Sequence, residues 1–254
     1  MEVATGQPIV CIAMRHGSRR LPGKALIDLG GGVTPVRLLA AQLSKQPHPV
    51  VFCVPEGKEG DPIAAYLADA ARGSAASEFA HTACHRGSLA NVLDRMLTAA
   101  ERFGAGDIVR VTGDDLFVDP GRLERLLSGH VASGAGLTYS DLPKGTECQA
   151  ISVRLLHRMV ESCGDDTECW DKRRDAGWMA GADLRFVPLS PVPAGPGTFA
   201  IELDTPDDAE TVRDALGRLL AAGRRPPFFV EDLARLHAER PFPKSKDPVY
   251  RPRN

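Results

Sequence analysis

The sequence predicts a single α/β domain of three layers, with helices on both faces of a largely parallel mixed sheet. Three observations carry this. The chain has 254 residues, room for one large domain with at most a modest appendage. Strand-like and helix-like segments alternate from the start of the chain to Leu127, the punctuation of βαβ units. The first strand candidate, residues 8–14, is apolar throughout, as suits a strand buried on both faces of a parallel sheet.

The elements follow in order. After residues 8–14, Thr34 can cap a helix with Pro35 at its first position and Val36, Leu38, Leu39 and Leu43 on one face. Residues 50–54 form a second strand, and Asp61-Pro62 opens a helix to about Ala71. Residues 88–103 make the strongest helical pattern, with Leu89, Val92, Leu93, Met96, Leu97, Ala100 and Phe103 on one face and Gly104 as the stop. Residues 108–112 read as a strand running into Gly113-Asp114-Asp115, after which Asp119-Pro120 opens a helix bearing Leu123, Leu126 and Leu127. Beyond Gly136 the pattern shortens: strands at 137–139 and 148–151, a helix near 154–161, strands at 184–189 and 199–203 around a Pro/Gly-rich loop at 190–197. Asp204-Thr205-Pro206-Asp207-Asp208 then opens a long helix with Ala209, Val212, Leu216, Leu219 and Leu220 on one side. The domain is expected to span 1–225, with 226–254 a C-terminal helix and basic tail.

Composition narrows the function. With 43% hydrophobic and 25% charged residues the chain is an ordinary globular protein, which excludes disorder and fibrous repeats. Its formal charge of −2 excludes a protein that coats nucleic acid or anionic membrane, so neither partner is expected and any anion site is local. No apolar run is long enough to span a bilayer, and Met1-Glu2-Val3-Ala4 lacks the form of a signal peptide, so a cytoplasmic protein is expected. Cys11, Cys53, Cys84, Cys148, Cys163 and Cys169 are scattered without a C-x-x-C pair and read as small buried hydrophobes.

The loop after the first strand, Arg15-His16-Gly17-Ser18-Arg19-Arg20-Leu21-Pro22-Gly23-Lys24, asks for an anion. Its glycines let backbone amides approach phosphate oxygens, and its Arg and Lys side chains supply charge and forked donors. It is neither a Walker loop nor a dinucleotide fingerprint. Asp114 and Asp204 each follow a predicted strand and precede a predicted helix, so both can reach the carboxyl edge of the sheet, where α/β ligands bind. Two such carboxylates facing a phosphate loop would suit Mg²⁺. Helix capping is the plain alternative for Asp204, and Asp115 the alternative ligand to Asp114. His81 and His85 lack a third metal ligand.

These residues resemble a known family. The segment from Ala13 to Lys24 is similar to the A-R-x-G-S-x-R-L-P-G-K loop of CTP-dependent cytidylyltransferases that activate sugar acids, the CMP-KDO and CMP-sialate synthetase superfamily. Arg86-Gly87-Ser88, Val92-Leu93-Asp94-Arg95, Val109-Arg110-Val111-Thr112-Gly113-Asp114, Val118-Asp119-Pro120 and Leu203 to Asp208 continue the likeness in order, which is greatest to the spore-coat polysaccharide cytidylyltransferase branch. The resemblance implies a Rossmann-like nucleotidyltransferase fold and transfer of CMP from CTP to an acceptor oxygen, with pyrophosphate released. It implies a CTP site of Ala13, Met14, Arg15, Gly17, Ser18, Arg20, Lys24, Arg86, Ser88 and Gly113, with Arg15, Arg20 and Lys24 as the catalytic cations. It further implies Mg²⁺ on Asp114 and Asp204, an anionic acceptor on Arg110, Lys144 and Glu147, and a homodimer, with 137–190 as an acceptor-binding or dimer subregion. Arg19, Lys144 and Lys172-Arg173-Arg174 would suit a small phosphonate such as phosphonoformate, which some relatives activate, and a sugar acid is the alternative. A glycosyltransferase with Asp114-Asp115 as its metal pair and a non-catalytic nucleotide sensor are further alternatives.

Overall fold

The apolar run at the start of the chain forms β1 (Ile9–Ala13), buried except at its last residue and flanked by parallel neighbours on both sides. The computed structural model describes residues 6–163, 183–189 and 199–243. Around β1 lie β2 (Val50–Pro55), β3 (Thr82–Gly87), β4 (Asp107–Thr112), β5 (Leu137–Ser140), β6 (Gln149–Ser152) and β7 (Leu184–Val187). Their order is β3-β2-β1-β4-β6-β5-β7, and β6 alone runs antiparallel to both of its neighbours. This is the mostly parallel mixed sheet that the alternation predicts.

Side chains of successive strand residues point to opposite faces, and the core divides accordingly. Val10, Ile12, Phe52 and Val54 join a cluster with α1 (Pro35–Leu43), α2 (Asp61–Ala70), α4 (Pro120–Ser133), α6 (Pro206–Ala221) and α7 (Val230–Glu239). Ile9, Cys11, Val51 and Cys53 pack instead against α3 (Val92–Arg102) and α5 (Val153–Cys163). The three layers follow from this two-sided burial. Phe228, Val230, Leu233, Leu236 and Phe242 belong to the first cluster. Gln42 of α1 fastens this end of the chain by donating to Phe228 O (3.1 Å) and accepting from Phe228 N (2.6 Å).

Local signals placed several ends correctly. Thr34, Asp119 and Thr205 cap α1, α4 and α6, each accepting from the amide three residues on and each followed by proline. Two expectations need correction, and the sequence does not foresee one strand. α3 starts at Val92, four residues late, because Asn91 caps it by accepting from Leu93 N and Asp94 N; Leu89 is consequently 49% exposed instead of packed. Residues 199–203 are extended but form no strand, since Ile201 N and Leu203 N donate to loop carbonyls of Lys144 and Asp114. β3 escapes the sequence pattern because this edge strand is only partly buried and carries Cys84, His85 and Arg86 in place of an apolar run.

Cys11, Cys53 and Cys148 are buried thiols and Cys84 is half-buried, whereas Cys163 is disulfide-bonded, which the scattered spacing does not suggest. Among the described residues no helix is long and apolar enough to cross a membrane. The Lys172-Arg173-Arg174 cluster, the 190–197 loop and the basic tail from 244 lie outside the described residues.

Candidate active site

The loop after β1 closes on the carbonyl of His16, which accepts from Ser18 N (3.1 Å) and Gly23 N (3.2 Å). Leu21 N donates to Ser18 Oγ (3.3 Å), and Gly23 sits at φ 71°, a conformation that favours glycine. The chain after β2 braces the loop from outside: His16 N donates to Glu59 O (2.8 Å), and a Cβ on Gly17 would overlap the Glu59 carboxylate. A side chain at Gly17 would displace the Glu59 carboxylate. Beneath the loop Lys24 begins a short turn, its side chain only 15% exposed.

Two further segments converge on Lys24. At the end of β4, Gly113 N donates to Ala13 O (3.0 Å), and a Cβ there would stand 2.8 Å from Met14 Cε; the close seam of β1 and β4 carries Asp114 to the loop. Asp204 arrives on the extended segment 199–203. Ile201 N donates to Lys144 O (2.9 Å) and Leu203 N to Asp114 O (3.1 Å). Gly145, at φ 88°, allows this approach, because a Cβ would meet the Ile201 carbonyl at 2.5 Å.

The result is one ammonium between two carboxylates. Lys24 Nζ lies 3.2 Å from Asp204 Oδ1, 3.4 Å from Asp114 Oδ2 and 3.2 Å from Leu203 O. Arg20 Nη2 takes the other oxygen of Asp204 at 2.8 Å. Asp204 does not cap α6; Thr205 does, in a capping box with Asp208, so the capping alternative fails. Asp115 is turned inward. Its Oδ2 accepts from Thr112 Oγ1 (2.5 Å) and its Oδ1 from Gly145 N (3.0 Å), so it braces the framework and Asp114 is the carboxylate that faces Lys24.

Asp114 and Asp204 suit a divalent ion. Hard oxygens from two carboxylates already share one cation, and Mg²⁺ takes its remaining ligands from substrate phosphates and water. Among the described residues no group of three or more His, Cys, Asp or Glu could hold a metal ion. Burial raises the Asp114 pKa, with Lys24 opposing and Asp204 adding to it. Burial and the adjacent Asp114 charge push Asp115 up to about 7.

The residues expected at the acceptor lie beside this centre. Arg110 Nη1 donates to Gln149 Oε1 (2.7 Å), and Lys144 Nζ is 3.9 Å from Glu202 Oε1. Glu147 keeps Oε1 buried without a hydrogen bond, and burial followed by repulsion from Asp115 raises its pKa well above the usual range. Sequence reasoning missed Glu202, although its place two residues before Asp204 in an extended run puts both on one side. Arg86 and Ser88 stand at the end of β3, where Arg86 pairs with Asp61 at the start of α2 and Ser88 Oγ accepts from Asn91 N (3.0 Å). Arg15 is exposed on the β1 loop. The structure thus joins Arg20, Lys24, Asp114 and Asp204 directly, uses Ala13, Met14 and Gly113 as the seam below them, and sets Arg86 and Ser88 apart at the end of β3 and in the turn after it.

No protein-family model matches the chain. A segment of 153 residues is 29% identical to the spore coat polysaccharide biosynthesis protein SpsF of Bacillus subtilis, covering 57% of this chain and 59% of that protein. The chain therefore matches well under two thirds of that relative. A cytidylyltransferase from Leptospira borgpetersenii superposes with a TM-score of 0.76 at 19% identity, over 93% of this chain and 95% of that one. CMP:2-keto-3-deoxy-manno-octonic acid synthetase complexed with CTP superposes with a TM-score of 0.61 at 15% identity, over 84% and 99%. At these identities the two structures establish the fold, an α/β nucleotidyltransferase-like sheet.

Proposed function

We propose that this chain is a CTP-dependent cytidylyltransferase that transfers CMP to an anionic acceptor and releases pyrophosphate. The observation that carries the reading is Lys24, from a glycine-bearing basic loop, held between Asp114 and Asp204. Arg15, Arg20 and Lys24 hold the triphosphate, and the amides around Gly17 and Ser18 approach its oxygens. Ala13, Met14, Gly113, Arg86 and Ser88 complete the nucleotide site. As pyrophosphate departs, negative charge grows on the bridging oxygen, and the largely buried Lys24 neutralises it. Mg²⁺ held by Asp114 and Asp204 would add charge neutralisation and fix the triphosphate's orientation. The inward turn of Asp115 speaks against a glycosyltransferase with Asp114 and Asp115 as its metal pair.

The acceptor is an acid held by Lys144 and Arg110. Glu147 and Glu202 beside them favour an acceptor that also carries hydroxyls, a sugar acid, because these acidic side chains can accept from hydroxyls but would oppose a compact phosphonate dianion. The phosphonate reading rests on Arg19, Lys144 and Lys172-Arg173-Arg174, the last three of which lie outside the described residues. A homodimer formed through 137–190 belongs to the same proposal, and Leu184 and Phe186, exposed on edge strand β7, support it.

Pyrophosphate release from CTP and Mg²⁺ against nonulosonic acids, octulosonic acids, phosphonoformate and other short phosphonates tests the reading. Turnover with a sugar acid is expected. Turnover with a phosphonate alone would reverse the acceptor assignment, and no release with any acceptor would overturn the activity.

A further inference from the structure

Arg95 sits in the first turn of α3, beneath the loop that follows β3, and is 4% exposed. Of its five N–H donors, one on Nη1 reaches Ser88 O at 2.8 Å, while Nε is buried with no partner. Its Cγ lies 3.2 Å from where a Cβ on Gly87 would stand, so the glycine lets the guanidinium stem pass under the Arg86-Gly87-Ser88 turn.

A buried charge is costly unless it is paired, and Arg95 forms no ion pair with any carboxylate among the described residues. Its surroundings leave it so. Burial lowers its pKa, with the Cys53 thiol opposing and the charge of Arg15 adding to the shift. His85 offers no negative charge either: burial, followed by Arg102 and Arg95, lowers its pKa, and its Nε2 shares a 2.9 Å hydrogen bond with Thr98 Oγ1. Asp94, the preceding residue on α3, acts electrostatically on His85. The charge of Arg15, on the loop after β1, thus adds to the cost of burying the Arg95 guanidinium under the β3 turn.

We propose that Arg95 is a nucleotide-binding residue that donates to a phosphate oxygen of the bound nucleotide. The proposal rests on the nucleotide-transfer reading above and adds to it a residue set below the loop. An anion in this position would offset that cost and give the unused N–H groups an acceptor, while the Ser88 carbonyl keeps the fork oriented. The free protein tolerates an unpaired buried cation because the bound state uses it, as binding sites commonly trade stability for function.

The test compares the full-length wild type with Arg95→Met and Arg95→Lys. Binding of CTP with Mg²⁺, of inorganic tripolyphosphate and of cytidine is measured by calorimetry, together with the melting temperature of the unliganded proteins. The methionine variant is expected to bind CTP and tripolyphosphate about tenfold or more weakly, to bind cytidine unchanged, and to melt no lower than wild type. Arg95→Lys, which keeps the charge and loses the fork, should recover part of the affinity, and it carries the test should the methionine variant not fold. Unchanged CTP and tripolyphosphate affinity with a lowered melting temperature would overturn the proposal, leaving Arg95 a strut for Ser88. Equal losses for cytidine and CTP would overturn the phosphate contact. Wild type that binds no CTP would overturn the nucleotide-transfer reading, and tripolyphosphate binding would still judge Arg95 separately.

Discussion

Lys24 and Asp204, 180 residues apart in sequence, meet at 3.2 Å, and the same ammonium reaches Asp114 at 3.4 Å. A lysine that neutralises two carboxylates holds the position a divalent ion would take. On the proposed reading the triphosphate would draw Lys24 away before the ion gains both ligands, so metal and nucleotide are expected to bind together. Lys24→Met should therefore bind Mn²⁺ more tightly than wild type without nucleotide, while losing on the order of a hundredfold or more in turnover. Titration of Mn²⁺ followed by electron paramagnetic resonance checks the first part. Equal affinities would show that Lys24 does not compete for the site.

Asp204 and Thr205 are adjacent in sequence and divide two tasks. Thr205 Oγ1 accepts from Asp208 N (3.2 Å) at the start of α6, whereas Asp204 faces Lys24 and Arg20. Thr205→Ala is expected to cost about 1 kcal/mol of stability and to spare turnover. Asp204→Asn should do the reverse, with near-normal melting and a large loss of metal-dependent turnover. Denaturant melts and steady-state kinetics on the two variants separate the roles, and swapped phenotypes would refute the division.

Gly145 carries a conformational prediction. At φ 88° and with a Cβ only 2.5 Å from the Ile201 carbonyl carbon, alanine there is strained and must push the 199–203 segment away. Gly145→Ala is expected to cost more than about 1 kcal/mol and to lower turnover by displacing Asp204 from Asp114. A variant with wild-type melting and kinetics would show that this approach does not position the site.

Asp115 gives a pH dependence with a definite sign. Its folded pKa is pushed up to about 7 from the ordinary 3.8, chiefly by burial and then by Asp114. Between those values the folded state binds more protons than the unfolded, so stability falls as pH rises. The contribution is full below about pH 4 and is lost as pH passes 7. Asp115→Asn removes the titration while its amide oxygen can still accept from Gly145 N. The melting temperature of the unliganded variant should decline less than that of wild type between pH 4 and pH 7, and parallel curves would contradict the shift.

Much of this molecule is legible in its sequence, and the reason is locality. The apolar run of β1, the proline-assisted caps at Thr34, Asp119 and Thr205 and the basic glycine-bearing loop after β1 are set by residues within a few positions of one another. Such features determine strand, helix and a local concentration of positive charge before any packing is known. The largely parallel character of the sheet follows from the same alternation.

The tertiary structure decided what depends on distant partners. β3 forms because β2 supplies its hydrogen bonds, although its own residues show no apolar run. Asp204 belongs to the site because an extended segment lies along the carbonyls of Lys144 and Asp114, and Asp115 is withdrawn because Thr112 and Gly145 claim its oxygens. Arg95 is left as a buried cation because no carboxylate of the described chain reaches it. Each outcome is a competition among side chains far apart in sequence for the same hydrogen bonds and charges, which spacing alone cannot express and only the folded chain resolves.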